Sequence, residues 1–365
     1  MSTYAGEDGV KIAVLLSGGV DSSVVLRTLQ EEGGHQLTAF YLKVWLEEEM
    51  AFLGDCPWED DLRYARAVCE QAGVPLEVVP LQRQYHDRVV AYTIAELRAG
   101  RTPSPDIFCN QQIKFGAFND EVAATFGASF DKIASGHYAR IDEDAGRYWL
   151  LKGVDPVKDQ TYFLSHLSQQ QLSRCLFPIG GLQKEEVRDR ARQFELPNQD
   201  RRDSQGICFL GKIRYNDFVA AHLGEQPGQI REHGTERVLG EHRGFWFHTI
   251  GQRKGLGLSQ GPWFVVAKDC ERNVVYVSHQ DVVRRRDRFE VARVNWITEP
   301  PSALQLQVKV RHSPTVVDCE LTPTGDASYG VQLAQEDQGL AEGQFGVFYD
   351  GDRCLGGGTI VATPQ

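Results

Sequence analysis

Residues 15–23 read LLSGGVDSS, set between the apolar run IAVLL at 12–16 and a second run, VVLRTL, at 24–29. Five consecutive apolar residues with β-branched members suit a strand buried on both faces of a parallel sheet. Val24, Val25, Leu26 and Leu29 then recur at helical spacing. Gly18 and Gly19 therefore fall in a strand-to-helix bend, where backbone amides and the helix dipole point outward together. Such a bend can receive an anion. Glycine lets the chain approach a phosphate closely, and Ser17, Ser22 and Ser23 add hydroxyl donors. Asp21 has the chemistry to hold a magnesium ion or a ribose hydroxyl. No lysine follows the glycines, so the loop does not hold a triphosphate in the manner of GxxxxGK[ST]. An ordinary glycine-serine turn in a doubly wound fold is the plain alternative.

From residue 11 to about 165, apolar strands alternate with helical patterns: IAVLL, the helix from Ser22, LTAFYLKVW, DLRYARAVCEQAG and PLEVVPL. The expected fold class is α/β, a doubly wound parallel sheet. Ligands of such sheets gather at the carboxyl ends of strands, which makes Leu42 and Gly136 candidates for flanking a nucleotide base, with His137 close by. Residues 168–197 have a helical pattern. From about 216 short strands, glycines and aromatics take over; GFWFHTIGQRKGLGL, PWFVVAKDCERNVVYVSH, FEVARVNWI, LQLQVKVRHS, VVDCEL and YGVQLA read as antiparallel β, spaced as in a small barrel. The expected units are 1–210, a nucleotide-binding catalytic domain; 211–285, a small and mostly β central domain; and 286–365, a C-terminal β-barrel.

The chain of 365 residues carries 50 acidic and 39 basic side chains, a net charge of -11. That balance disfavours binding nucleic acid by bulk attraction and leaves local basic clusters, Arg201-Arg202, Lys212 with Arg214, Arg253-Lys254 and Arg284 to Arg288, to meet phosphates. No stretch reaches the ~20 apolar residues of a membrane span, and MSTYAGEDGV has neither a basic start nor an apolar signal core. The expectation is a soluble intracellular protein. The eight cysteines show no CxxC pair, which disfavours a zinc knuckle or an iron-sulfur cluster. Cys69, Cys175, Cys270, Cys319 and Cys354 read as small buried apolar residues, and so does Cys56.

Two thiols stand apart. Cys109 lies in RTPSPDIFCNQQIKFGAF, where prolines stiffen the approach and helical periodicity starts just after it, which puts the thiol near a helix N-terminus and lowers its pKa. Asp106 has the chemistry to accept or deliver a proton there, and Lys114 adds positive potential. Cys208 lies in RRDSQGICFLG, a loop with the Arg201-Arg202 pair nearby. Brought together, such thiols can carry a persulfide and then close to a disulfide.

SGGVDSS at the end of a first strand resembles the PP-loop of the ATP pyrophosphatases. The ordered series GRTPSPDIFCNQQIKF, ASGHYARI, VKDQTYFL, LFPIGGL, DSQGICFLG, HTIGQRKGLG and CLGGG extends the likeness over nearly the whole chain, which resembles the tRNA-specific 2-thiouridylases of bacterial and organellar type. The resemblance implies ATP-dependent replacement of the C2 oxygen of the wobble uridine by sulfur, with Cys208 carrying the persulfide, Cys109 as partner nucleophile and Asp106 as general acid/base. It implies ATP on Leu15, Leu16, Ser17, Gly18, Gly19, Val20, Asp21, Ser22, Leu42 and Gly136, with magnesium near Asp21. It implies tRNA contacts at Ser104, Pro105, Asp106, His137, Lys158, Asp159, Gln160, Arg311, His312 and Gln344. The implied partners are tRNAs with lysine, glutamate and glutamine acceptors and a cysteine desulfurase or sulfur-relay protein.

Two departures stand beside the likeness. The family usually has Asn-Pro-Asp where this chain has Ser104-Pro105-Asp106, and lysine-glutamate where this chain has Gln111-Gln112. Residues 47–61, EEEMAFLGDCPWEDD, resemble the variant of plants and photosynthetic lineages, so the expected compartment is the cytoplasm, or a plastid or mitochondrion if a transit peptide has been removed. The rival readings are a PP-loop synthetase that adenylates a small molecule, which needs no placed cysteines, and a non-catalytic tRNA-binding protein. Intact Ser17, Asp21, Asp106, Cys109 and Cys208 weigh against the second.

Overall fold

The computed structural model describes residues 9–44, 57–127, 129–203, 214–279, 286–337 and 339–362. Its first sheet is wholly parallel, in the order β3-β2-β1-β4-β7: β1 (Val10–Leu15), β2 (His35–Lys43), β3 (Leu76–Pro80), β4 (Lys132–Ala134) and β7 (Cys175–Leu176). The apolar run of β1 divides by alternation. Ile12, Val14 and Leu16 join one core with α1 (Val20–Glu32) and α2 (Pro57–Ala72), while Ala13 and Leu15 join another on the opposite face. A strand buried on both faces reads as a continuous apolar run for this reason. The strand order turns at β1, between β2 and β4, so the loop after β1 opens at the topological switch point.

The opposite face is covered by α3, continuous over 82–98, and α4, continuous over 105–126. Both contain a widened π-helical stretch, His86–Val90 in one and Cys109–Ala117 in the other. Residues 168–197 are less helical than their pattern suggests: a single turn at Gln169–Leu172, the strand β7 and a loop precede α5 (Lys184–Gln193). Phe177-Pro178 and Gly180-Gly181 interrupt the helix, and Gly180 lies against the backbone at Ala139, where an added Cβ would be 1.7 Å from the carbonyl oxygen.

After α6 (Tyr215–Leu223), the second sheet runs β10-β11-β8-β9, formed by β8 (Gly228–Glu232), β9 (Val238–His242), β10 (Trp263–Asp269) and β11 (Val274–His279). The expectation of antiparallel strands throughout is corrected in two places. β11 pairs with β8 in parallel. The stretch GFWFHTIGQRKGLGL holds only a short 3₁₀ turn, Phe245–Phe247, because Gly251, Gly255 and Gly257 adopt positive φ and break any strand.

The third sheet closes on itself. β12 (Arg286–Trp296), β15 (Ser328–Asp337), β14 (Val317–Gly325), β13 (Gln305–Lys309), β16 (Phe345–Asp350) and β17 (Arg353–Ala362) pair in turn, and β12 returns to β17. Phe289, Val308, Leu321, Val331 and Phe348 fill this barrel. A hairpin from the first unit, β5 (Ala139–Asp144) and β6 (Arg147–Lys152), extends the barrel sheet through pairing of Leu151 with Arg353 and Leu150 with Cys354. Phe345, Val347 and Tyr349 face outward from β16 into the core shared with α3 and α4. The barrel and the parallel-sheet unit therefore share one hydrophobic seam.

Candidate active site

The loop after β1 is built from its own side chains. Ser17 and Ser22 hydroxyls lie 3.2 Å apart, Ser22 and Ser23 both donate to the Gly19 carbonyl at 3.1 and 2.9 Å, and the Ser17 amide donates to Ser22 Oγ at 3.2 Å. Gly18 has φ +74°, and a Cβ there would stand 2.2 Å from the Asp61 carbonyl oxygen, so both conformation and space require glycine. Asn198 and Arg201 donate to the Gly18 carbonyl at 2.8 and 3.0 Å, tying the bend to the segment that follows α5. Arg201 is also paired with Asp61. Its charge is thus shared between Asp61 and the loop; Cys208, beside which the sequence reading set it, lies outside the described residues.

Lysine reaches this loop from elsewhere. Lys184, 163 residues after Asp21, donates to its carboxylate at 2.6 Å, and Tyr138 donates to the same oxygen at 3.1 Å. Burial and then the Asp21 charge push the Tyr138 hydroxyl far above its usual range, keeping it a donor. Lys184 also meets Asp203 at 2.8 Å, where Lys158 arrives at 2.7 Å and Arg188 completes the cluster. Burial raises the Asp203 carboxyl, and Lys158 and Lys184 outweigh it, holding the group below the usual carboxylate range. Sequence reasoning missed Lys184. Its signal is a lysine in the first turn of a helix opened by a Gln183/Glu186 capping box, a position where the dipole favours acids.

Gly136 packs on the start of α1, its absent Cβ leaving 3.0 Å to the Ser22 amide nitrogen and 3.2 Å to the Asp21 carbonyl carbon. Leu42, next to last in β2, is half-buried. His137 is 7% exposed, bonded to Ser135 Oγ at 2.8 Å and set against Phe115 and Phe177. Burial, then Lys114, lowers its pKa well below the ordinary value, so it is a neutral imidazole. Its Phe115 contact links the nucleotide loop to α4.

α4 begins at Pro105 behind Ser104, four residues ahead of the sequence expectation. Cys109 therefore lies in the second turn, where the helix dipole lends less to a thiolate than at the first. It is 3% exposed and heads the π-helical stretch. Gln171 fastens that stretch by donating to the Gln111 and Phe115 carbonyls at 2.7 and 2.9 Å, and Asn110 donates to Phe163 O at 3.2 Å. Asp106 is half-buried in the first turn. The approach is docked on the barrel: the Thr102 amide donates to Glu342 O at 2.8 Å, and Arg101 holds Glu96 with two bonds of 2.7 Å.

Cys208, Cys56 and Lys212 lie outside the described residues. Cys69, Cys175, Cys270, Cys319 and Cys354 form no disulfide among the described residues. Burial pushes the Cys69 thiol up to about 11 and the Cys319 and Cys354 thiols up to about 12, and raises Cys175 and Cys270, in keeping with a packing role.

The residues assigned to tRNA by resemblance divide by exposure. Asp159 is 2% exposed and spent on Lys309, Gly153 and Thr161, so as placed it offers nothing to an RNA. Gln160 accepts from the Tyr138 amide at 3.0 Å, and Pro105 and His137 are buried. His312 is exposed, stacked near Phe163 at 4.5 Å; Arg311 is paired with Asp337, and Ser104, Lys158 and Gln344 are half-buried. No helix among the described residues is long and apolar enough to cross a membrane.

Comparison with known proteins covers almost the whole chain. Three family models match: a tRNA methyl transferase HUP domain over 10–212, a tRNA methyl transferase PRC-barrel domain over 216–279 and an aminomethyltransferase beta-barrel domain over 286–360. The tRNA-specific 2-thiouridylase MnmA of Parabacteroides distasonis is 45% identical over 96% of this chain and 99% of its own. MnmA 1 of Bacteroides thetaiotaomicron is 46% identical over 96% and 100%, and MnmA 2 of Bacteroides fragilis 47% identical over 96% and 99%. Identity at this level, sustained through parallel sheet, central sheet and closed barrel alike, places the chain in the family of tRNA-specific 2-thiouridylases.

Proposed function

We propose that this chain is an ATP-dependent tRNA-uridine 2-sulfurtransferase acting on the wobble uridine. The observation that carries the reading is the glycine-serine loop at the switch point, linked through Gly136, His137 and Phe115 to the helix that bears Cys109 and Asp106. ATP takes Leu15 to Ser22, with its base between Leu42 and Gly136; magnesium, when bound, would neutralise phosphate charge near Asp21. The uridine O2 attacks the α-phosphorus and pyrophosphate leaves, giving an O2-adenylate. The terminal sulfur of a Cys208 persulfide attacks C2 and AMP departs with the oxygen. Cys109 thiolate then attacks the Cys208 sulfur, releasing the thione and forming a disulfide that an external dithiol reduces. Asp106 moves the protons.

In this reading residues 1–210 carry the chemistry, 211–285 form the central domain, and 286–365 hold the tRNA by shape and phosphate contacts, which suits an acidic protein with local basic surfaces. A loop uridine is already single stranded and cheap to extrude. Of the implied RNA contacts, Ser104, Asp106, Lys158, Arg311, His312 and Gln344 have the exposure to meet the substrate. A desulfurase or relay protein supplies the sulfur.

The test is mass spectrometry of nucleosides from unmodified tRNA incubated with the protein, ATP, magnesium and a persulfide donor. The expected result is a 2-thiouridine peak that vanishes without ATP. Splitting of ATP to AMP with no thiolated nucleoside from any tRNA would move the small-molecule synthetase into first place.

A further inference from the structure

We propose that Asp203 is an internal stand-in anion: its carboxylate occupies a cradle formed by Lys158, Lys184 and Arg188, and the polyphosphate of ATP displaces it on binding. The proposal rests on the nucleotide reading above and concerns how that site is kept when empty. Three cations converge on this one carboxylate, Lys158 at 2.7 Å and Lys184 at 2.8 Å with Arg188 beside them, and among the described residues only Lys184 has a second carboxylate, Asp21, within reach. A single carboxylate is a poor match for so much positive charge; a polyphosphate, with more charge and more acceptor oxygens, is the better occupant.

The cradle stands without Asp203. Asp155, 8% exposed, accepts the Lys158 amide at 3.1 Å through one oxygen and the Lys184 amide at 3.1 Å through the other, fixing both lysine backbones. Arg188 has its own anchors in the Gln199 and Arg201 carbonyls, at 3.0 and 2.6 Å. Lys184 on Asp21 and Arg188 on its two carbonyls therefore keep side-chain bonds that a departing Asp203 would leave intact, and Lys158 keeps its backbone anchor. The cluster is also open: the side chains of Asp203, Lys158 and Arg188 are 28%, 35% and 23% exposed, unlike a sealed structural pair. It adjoins the phosphate loop through Lys184 on Asp21, 2.6 Å, and the Arg201 bond to Gly18. An anion held there keeps the cations from repelling one another while the site is empty. It also weakens ligand affinity by the fraction of time the cradle is taken.

The experiment is calorimetric titration of the full chain with inorganic pyrophosphate, without and then with magnesium, for the unaltered protein, Asp203→Asn and Lys158→Gln. If the carboxylate holds the cradle nine-tenths of the time, Asp203→Asn should bind magnesium-free pyrophosphate about 10-fold more tightly, and Lys158→Gln should bind it more weakly. A gain in affinity cannot arise from misfolding. Unchanged or weaker magnesium-free binding by Asp203→Asn overturns the proposal, and so does a loss confined to titrations with magnesium, which would make Asp203 a metal ligand. The two readings fail separately: a protein that binds pyrophosphate in the expected pattern yet makes no thiolated nucleoside keeps this inference and loses the thiolase, and an active thiolase whose Asp203→Asn variant gains nothing does the reverse.

Discussion

Lys309 and Asp159 meet at 2.7 Å with 2% of either side chain exposed, whereas Lys184 and Asp21 meet at 2.6 Å with 14% and 30% exposed. The first carboxylate is saturated: one oxygen takes the Gly153 amide and the Thr161 amide and hydroxyl, the other takes Lys309 and the same hydroxyl. It joins β13 of the barrel to the segment that follows β6. The second pair shares its lysine with Asp203 and faces solvent. One lysine-aspartate contact is a joint, the other a site. Distance does not tell them apart; burial and the count of remaining partners do.

The sharpest way to break this comparison is to remove one lysine from each pair. Lys309→Met leaves Asp159 buried and uncompensated, and should cost about 3–5 kcal/mol in chemical unfolding. Replacing Asp159 by Asn as well should recover much of that, because the buried charge is gone and the Asn Oδ1 can still accept the Gly153 and Thr161 bonds. Lys184→Met should do the opposite, lowering tRNA-dependent AMP release by about 10²–10³-fold while unfolding free energy moves by no more than about 1 kcal/mol. Equal stability losses in the two variants would dissolve the distinction.

Acid probes the joint more gently. His166 sits in the same seam, edge-on to Phe345 at 4.8 Å and opposite Phe108 at 6.4 Å, and burial lowers its pKa to about 4. The folded state therefore binds fewer protons than the unfolded one, whose imidazole titrates near 6.5. Its share of stability is intact above about pH 6.5 and is lost toward pH 4, by up to about 1.4 kcal/mol per pH unit. Unfolding free energy followed against pH should fall less steeply in His166→Gln over that window. Parallel curves would remove His166 from the account.

What was legible follows the same division. β1, its loop and α1 are specified by neighbours in sequence, so apolar alternation, glycine and serine spacing announce them together. The Cys109 helix was half legible: Ser104-Pro105 carries the cap and first-turn proline of a helix start, yet reads equally as a stiff approach. Aromatic residues in GFWFHTIGQRKGLGL suggest strands until positive-φ glycines overrule them. Lys184, Asp203 and Asp159 were opaque as a network because their partners arrive from distant parts of the chain, Lys184 on Asp21 across 163 residues and Lys309 on Asp159 across 150. Local pattern cannot state a charge pairing made by topology.

The smallest effect is the most discriminating. Arg140 on β5 pairs with Asp352, in the turn before β17, at 3.0 Å, across the junction that Lys309 also spans, but with 35% and 69% of the side chains exposed. Water already solvates both charges, the Arg140 Nε keeps a bond to the Lys152 carbonyl at 2.8 Å, and the strands around the pair are held by their own ladder. Asp352→Asn should therefore change unfolding free energy by less than about 1 kcal/mol, and less still at high salt. If it instead costs as much as Lys309→Met, the junction is held by charge pairing wherever it occurs, and burial is not what separates a joint from a site.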